Sequence, residues 1–215
     1  GATESAIYSF KTQPVPGSEG IYRFIILGDH QLQDDRYIRL MTAAKAVAEE
    51  KYGAPIEQYI NLITNVGDQV DNGSYKQYDV VHFNKSELLS PNLPIMTIVG
   101  NHELAKGEEN PLELYNKHFI YDNIDYKGIK SNSEYYYAMQ QGRVLFLMLS
   151  SEHTGTTQKN WAKKVIDKAK EDDEIDWIFS YNHRPLQAEQ YVGDVSVWVR
   201  DEIMPMLNTT EKSVM

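Results

Sequence analysis

Apolar segments of strand length alternate with longer amphipathic segments of helix length through the first half of the chain. Strands are predicted at 22–27, 59–66 and 95–99, with helices at 37–52 and 75–89 between them. Because consecutive strands joined by helices pack as right-handed parallel units, this βαβαβ order predicts a parallel sheet. The fold class is therefore α/β.

The second half of the chain follows a different order. A helix is predicted after Asn110, an antiparallel hairpin over 135–149, a helix at 158–170, a strand at 175–181 and a last helix at 197–204. An antiparallel hairpin does not continue a parallel βαβ series. It therefore indicates the beginning of a second sheet.

Length and composition indicate one domain rather than two. The chain has 215 residues, of which 41% are hydrophobic, and this is enough to bury one substantial core. Residues 8–20 read YSFKTQPVPGSEG, and such Pro/Gly/Ser-rich stretches are typical of linkers. We expect residues 1–20 to be the end of an upstream domain and its linker, and residues 21–215 to be the domain itself.

The charge balance narrows the range of partners. The 21 Lys and Arg residues face 31 Asp and Glu residues, giving a net charge of -10, which argues against non-specific attraction to nucleic acid or anionic membranes. No apolar run is long enough to span a membrane. The chain contains no cysteine, so a metal would need oxygen or imidazole ligands. We therefore expect neither nucleic acid nor a membrane as a partner, and the sequence leaves the oligomeric state open.

Four short polar motifs follow four predicted strands. They are GDHQ at 28–31, GDQVDNG at 67–73, GNHE at 100–103 and NHRP at 182–185. The carboxyl ends of parallel strands lie along one edge of a sheet, so we expect the first three loops to meet in one crevice, and the fourth adds an imidazole. Carboxylate, carboxamide and imidazole groups together suit a pair of divalent ions such as Mn, Fe or Zn.

In this order the four motifs resemble the first four sequence blocks of the calcineurin-like metallophosphoesterases. The segments YYYAMQQGRVLFLMLSSEH and WIFSYNHRPL are similar to purple acid phosphatases within that superfamily. The resemblance implies an αββα sandwich with a mostly parallel first sheet and a second sheet that is incomplete in this chain. It also implies that the piece before residue 21 comes from a fibronectin-like domain.

The resemblance implies a set of metal ligands. Asp29 would bind a first ion, and Gln31, which stands where many relatives have a histidine, would add its carbonyl oxygen. Asp68 would bridge two ions. Asn101 and His183 would bind the second.

The resemblance also implies roles beside the metals. His102 would contact the phosphate and assist the leaving group, while Glu103 would orient His102 through a hydrogen bond. Three further side chains are possible substrate contacts. His30 could face the substrate or be an exposed loop histidine, His153 could border the site or be exposed to solvent, and Arg184 could hold a phosphate or pair with an acidic neighbour.

Two departures from the family pattern stand out. Asp71 occupies the position of the tyrosine that gives purple members their colour, so a purple ferric site is not expected. A Gly-His-x-His block, which would add one histidine to each metal, does not occur before Met215. We therefore expect the domain to be truncated at its C-terminus. His82 and His118 lie in predicted helices away from the motifs, and we interpret them as surface or packing residues.

The implied function is hydrolysis of a phosphate ester on a small phosphorylated substrate, by a water that two metal ions activate. A monoester is favoured over a diester. The alternative is a metallophosphoesterase-like module for binding or scaffolding that has lost catalysis, as the absent histidines would suggest. The family likeness also favours export, to the outside of the cell or the periplasm.

Overall fold

The first sheet is parallel and three-stranded. A computed structural model describes residues 6–32, 35–104 and 110–215. The sheet consists of β1 (Phe24–Leu27), β2 (Leu62–Asn65) and β3 (Ile95–Thr97), in that order. Leu27 lies beside Asn65, and Asn65 lies beside Thr97, so the three strands end at the same level. The predicted parallel sheet is confirmed.

Helices connect these strands, although the second helix differs from its prediction. The first connection contains α1 (Arg36–Tyr52). The second contains α2 (Tyr75–Gln77), a π-helical segment (Tyr78–Phe83) and α3 (Asn84–Ser86), in place of one regular helix. A single wider turn hardly changes the spacing of apolar residues, so the sequence pattern could not reveal it.

The second sheet has four strands in the described part of the chain. They are β6 (Tyr137–Gln141), β7 (Val144–Met148), β8 (Trp177–Tyr181) and β9 (Ser213–Val214). The β6–β7 pair is the predicted antiparallel hairpin, whereas β8 runs parallel to β7 and β9 parallel to β8. A small hairpin that the sequence did not predict precedes this sheet; it is formed by β4 (Asp125–Tyr126) and β5 (Ile129–Lys130).

The remaining helices complete the layers. They are α4 (Pro111–His118), α5 (Thr156–Lys170), a π-helical segment (Val199–Ile203) and α6 (Met204–Leu207). None of the helices in the described residues is both long and apolar enough to cross a membrane.

The two sheets pack face to face, with helices on both outer faces. Phe24 of β1 meets Phe146 of β7 edge-on at 5.1 Å between ring centroids. The opposite face of the first sheet packs on Tyr37 and Met41 of α1. The opposite face of the second sheet packs on the side of α5 that contains Trp161. Strands β2 and β7 are buried along their whole length, and burial on both faces explains the continuous apolar character of β7. The predicted αββα sandwich is confirmed.

Tyrosines from other elements satisfy the outer edge of β3. The backbone N–H of Thr97 donates to the Tyr121 hydroxyl at 3.2 Å, and the Thr97 carbonyl accepts from the Tyr137 hydroxyl at 2.8 Å. Thr97 and Tyr137 have no exposed surface. An unpaired strand edge exposes donors and acceptors, so these hydroxyls replace a neighbouring strand next to the loop that contains Asn101.

Replacement of Tyr137 by phenylalanine should destabilise the protein by about 1–3 kcal/mol, because the buried Thr97 carbonyl loses its donor while the shape of the side chain is kept. Urea unfolding measures the change. Tyr8→Phe is the control, since Tyr8 is exposed and should shift the free energy of unfolding by less than about 0.5 kcal/mol. Equal effects of the two substitutions would contradict this account of the edge.

Candidate metal centre

The four motif loops meet at the carboxyl ends of the two sheets. Pairing between strands continues past their last residues, since Asp29 N–H donates to the Gly67 carbonyl at 3.1 Å and Ile98 N–H to the Asn65 carbonyl at 3.0 Å. Asp29 and Asp68 both have a φ of 53°, in the left-handed region that residues other than glycine rarely adopt. Such strain persists where the surroundings enforce it, often at functional sites.

Asp68 lies between two groups of donors. Its Oδ1 is 3.3 Å from His183 Nε2, and its Oδ2 is 3.4 Å from Gln31 Nε2. Asn101 Oδ1 lies 3.0 Å from the same His183 Nε2. Each oxygen of the carboxylate therefore faces a different set of side chains, as a bridging ligand requires.

The donors are close enough to share metal ions. The ligand atoms of Asp29, Asp68 and His183 all lie within 4.8 Å of one another. Gln31 Oε1 is buried and has no hydrogen-bond partner among the described residues, although buried oxygens are normally satisfied. Oxygen and imidazole donors of this kind suit divalent Mn, Fe or Zn. The side chains present therefore fit a divalent-metal centre, and the orphan oxygen of Gln31 is the atom that an ion would satisfy.

The orientation of His183 also suits metal binding. Its Nδ1 lies 2.9 Å from the Val66 carbonyl oxygen, which can only accept a hydrogen bond, so Nδ1 carries the proton that it donates. The other nitrogen, Nε2, is directed at Asp68 and Asn101. A backbone carbonyl that fixes the tautomer in this way is a common partner of metal-binding histidines.

Two glycines allow the loops to approach. A Cβ atom at Gly100 would lie 2.3 Å from Asp68 Oδ1, and one at Gly67 would lie 2.9 Å from His183 Nδ1. Gly67 also has a φ of 95°. Neither position has room for a larger residue, which explains why the motif glycines precede the polar side chains.

Glu103 anchors the backbone of the site. Its Oε2 accepts hydrogen bonds from the N–H groups of Asp68 and Gly100, at 2.9 and 2.6 Å. Its Oε1 accepts from Gln69 and Val70 at 2.7 and 3.3 Å. Burial raises the pKa of Glu103 to about 7, although the backbone donors act in the opposite direction. We expected Glu103 to orient His102, but among the described residues its carboxylate binds these four backbone groups instead.

The imidazole of His102 is held instead by Asp71. Nδ1 of His102 lies 2.8 Å from the Asp71 carbonyl oxygen and 3.6 Å from Oδ1 of the Asp71 carboxylate. Nε2 is left facing the centre, 3.9 Å from Asp68 Oδ2. The sequence pattern identifies Asp71 only as the replacement of a tyrosine and does not reveal this contact. Its spacing in GDQVDNG gives no signal of which side chain it meets.

The carboxylates and His183 shift one another's ionisation. Burial acts to lower the pKa of His183, but the hydrogen bond and the charge of Asp68 outweigh burial and raise the pKa to about 9. Burial acts to raise the pKa of Asp68, but the contacts with His183 and with the His102 N–H lower it. Asp29 is exposed on one side, but the surrounding loops remove part of its hydration, and this desolvation raises its pKa. In the metal-free site the proton on His183 therefore offsets part of the carboxylate charge.

The structure corrects the expectation for His30. The ring is only 7% exposed, so it is neither an exposed loop residue nor open to a substrate. It stacks on Tyr37 with ring centroids 3.7 Å apart. His82, which we interpreted as a surface or packing residue, is 2% exposed and lies beside His30. His118 packs among aromatic rings near Tyr78.

The other two candidate substrate contacts are both engaged with the protein. His153 is partly buried and stacks on Tyr135, with ring centroids 3.9 Å apart. Arg184 makes a two-bond ion pair with Glu152, at 2.6 and 3.2 Å, and a third bond to Asp194 at 3.0 Å. The alternative of pairing with an acidic neighbour is confirmed for Arg184.

Comparisons with solved structures support the fold. The chain matches a purple acid phosphatase from yellow lupin (Lupinus luteus) with a TM-score of 0.62 and 19% identity, over 86% of this chain. It spans 34% of that chain. It matches a dimetal phosphatase from Danio rerio with a TM-score of 0.56 and 13% identity, over 91% of this chain and 80% of the other. No curated protein matches the sequence.

Comparison with families gives a match over most of the sequence. The sequence profile of the calcineurin-like phosphoesterases matches residues 22–208, which contain all four motifs. The resemblance predicted from the motifs is confirmed. The chain belongs to the calcineurin-like phosphoesterase family, a family of metal-dependent hydrolases.

Proposed function

We propose that this chain contains the catalytic centre of a phosphoesterase that hydrolyses a phosphate monoester with the help of two divalent ions. The observation that carries the proposal is the position of the Asp68 carboxylate, with one oxygen facing Gln31 and the other facing His183. Such an arrangement suits a carboxylate that bridges two ions. The likeness to a purple acid phosphatase and a dimetal phosphatase supports a monoester.

The side chains would divide between the two ions. Asp29, Gln31 and Asp68 would hold the first, and Asp68, Asn101 and His183 would hold the second. When bound, the two ions supply positive charge to the phosphoryl oxygens and lower the pKa of a water, which can then attack phosphorus.

Beyond the proton on His183, the side chains described at the site offer little positive charge to a phosphate. The net charge of the whole protein is -10, and three bonds to Glu152 and Asp194 hold the guanidinium of Arg184. A phosphate ester would therefore meet mostly acidic groups in the metal-free protein. Metal ions remove this repulsion.

His102 would serve the leaving group. Its Nδ1 is held by the Asp71 carbonyl, so Nε2 is the ring nitrogen that would face the departing oxygen as the general acid. The Asp71 carboxylate lies 3.6 Å from the same Nδ1 and helps to hold the ring in this orientation.

Hydrolysis of phenyl phosphate and p-nitrophenyl phosphate tests the function. The chain should be inactive with a chelator and active after addition of Mn²⁺ or Zn²⁺, and it should prefer these monoesters to bis(p-nitrophenyl) phosphate. Asp68→Ala and Asn101→Ala should abolish metal-dependent turnover because they remove metal ligands. Binding of Mn²⁺ without turnover of any ester would instead support a binding or scaffolding module.

His102→Ala should leave the affinity for Mn²⁺ unchanged and lower kcat by about 10²–10⁴-fold, the usual contribution of a general acid. The loss should be smaller for p-nitrophenyl phosphate than for phenyl phosphate, since p-nitrophenolate leaves without help from an acid. His118→Asn is the matched control and should change neither value. A loss that is the same for both esters would argue against proton transfer by His102.

Metal binding should release a proton from His183. Its pKa of about 9 means that the metal-free side chain is protonated at pH 7, and an ion must displace that proton. Affinity for Mn²⁺ should therefore increase as the pH rises from 7 to 9. Calorimetry in two buffers of different ionisation enthalpy counts the released protons. His183→Asn should remove this release, and an unchanged count would refute the assignment.

A further inference from the structure

A chain of buried polar side chains lies behind the metal-binding loops. This hydrogen-bond chain links Asn65, His30 and His82. All three side chains are buried, with exposed fractions of 0%, 7% and 2% in that order. Asn65 Nδ2 lies 3.2 Å from His30 Nδ1, and His30 Nε2 lies 3.2 Å from His82 Nδ1. The mechanism proposed above uses none of these three groups.

The donor and the acceptor of each hydrogen bond among these three side chains are fixed. Asn65 Oδ1 accepts from the Gly67 N–H at 3.0 Å, so the other end of the amide is the NH₂ group, which can only donate. His30 Nδ1 must therefore accept, and a neutral His30 carries its proton on Nε2. That proton is donated to His82 Nδ1, which must offer a lone pair. Each ring is consequently fixed as the neutral tautomer protonated on Nε2.

The environment of both rings supports the neutral form. Burial is the largest cause that lowers the pKa of His82 to about 3. His30 is buried beside it. The His30 ring is also clamped by its stacking on Tyr37 of α1.

The hydrogen-bond chain of Asn65, His30 and His82 joins the backbone segments that carry the metal ligands. Asn65 is the last residue of β2 and holds the Gly67 N–H just before Asp68. His30 follows Asp29 directly. His82 approaches from the π-helical segment Tyr78–Phe83, a type of turn that is frequent at functional sites. The loops after β1 and β2 are thus connected to each other through side chains behind the ligands.

We propose that His82 is a positioning residue of the metal centre. Its Nδ1 lone pair terminates the hydrogen-bond chain that starts at Gly67, and so fixes the loop of Asp29 relative to the loop of Asp68. This inference rests on the proposed function, because the carboxylate separation matters for a metal ion. His82 contacts neither the ligand atoms nor a substrate, and acts only through His30.

The tautomers can be observed directly in the metal-free protein. Long-range ¹H–¹⁵N correlation spectra of protein labelled at histidine distinguish protonated from unprotonated ring nitrogens. At pH 7, His30 and His82 should both carry a proton on Nε2 and none on Nδ1. A proton on Nδ1 of either ring would overturn the proposal. This readout does not depend on metal binding or catalysis.

Two substitutions of His82 then distinguish the effect of its Nδ1 lone pair from the effect of its packing volume. His82→Asn keeps an acceptor oxygen in the place of Nδ1, whereas His82→Leu fills a similar volume without an acceptor. The affinity for Mn²⁺ should fall by about 10-fold in His82→Leu and stay within about 3-fold in His82→Asn, as for other partners behind metal ligands. His118→Asn, a change of a neighbouring histidine outside the chain, should have no effect.

The outcomes distinguish this inference from the proposed function. Equal affinities in the Asn and Leu variants would overturn the role of the lone pair. If the unaltered protein does not bind Mn²⁺, the proposed function fails, while the tautomer spectra still decide whether the hydrogen-bond chain exists. If neither variant folds, those spectra of the unaltered protein remain the deciding measurement.

Discussion

The buried carboxylate of Glu103 holds the candidate site together. It accepts four backbone N–H groups, three from Asp68 to Val70 and one from Gly100, and so ties the loop after β2 to the loop after β3. These loops carry Asp68 and Asn101. A buried polar group without a partner costs about 1–3 kcal/mol, so one side chain satisfies donors that sharp loops would otherwise leave unpaired. The positions of two ligands depend on this single residue.

The two sheets contribute to the site in different ways. Parallel strands in equal register bring Asp29, Asp68 and Asn101 to one edge, which a single sheet can do. His183 comes from the second sheet and is fixed by the Val66 carbonyl of the first. Close packing of the sandwich is therefore part of the site, because the distance between the sheets sets the distance between His183 and Asp68. The aromatic contacts around Phe24 and Phe146 keep that distance.

Much of this arrangement was predictable because strand order and motif position are local features. The βαβαβ pattern, the hairpin at β6 and β7, and the helix α5 all follow from apolar spacing. The convergence of the first three motif loops follows from the parallel order of β1, β2 and β3, whereas the fourth loop joins them only because the second sheet packs on the first. The small β4–β5 hairpin was not predictable, since two-residue strands leave no period to detect. The π-helical segment that carries His82 was missed because the apolar spacing through one wide turn is almost unchanged.

The sequence by itself determined the fold class, the family and the residues that gather at the site. This was possible because each motif follows a strand, and the strands can be predicted from the spacing of apolar residues. Only the tertiary structure decided which atoms meet: that Glu103 binds backbone groups, that Asp71 holds His102, and that His30 turns inward to His82. Asp68 and Glu103 are 35 residues apart, and His30 and His82 are 52 apart. Hydrogen bonds over such separations depend on packing and leave no periodic trace in the sequence.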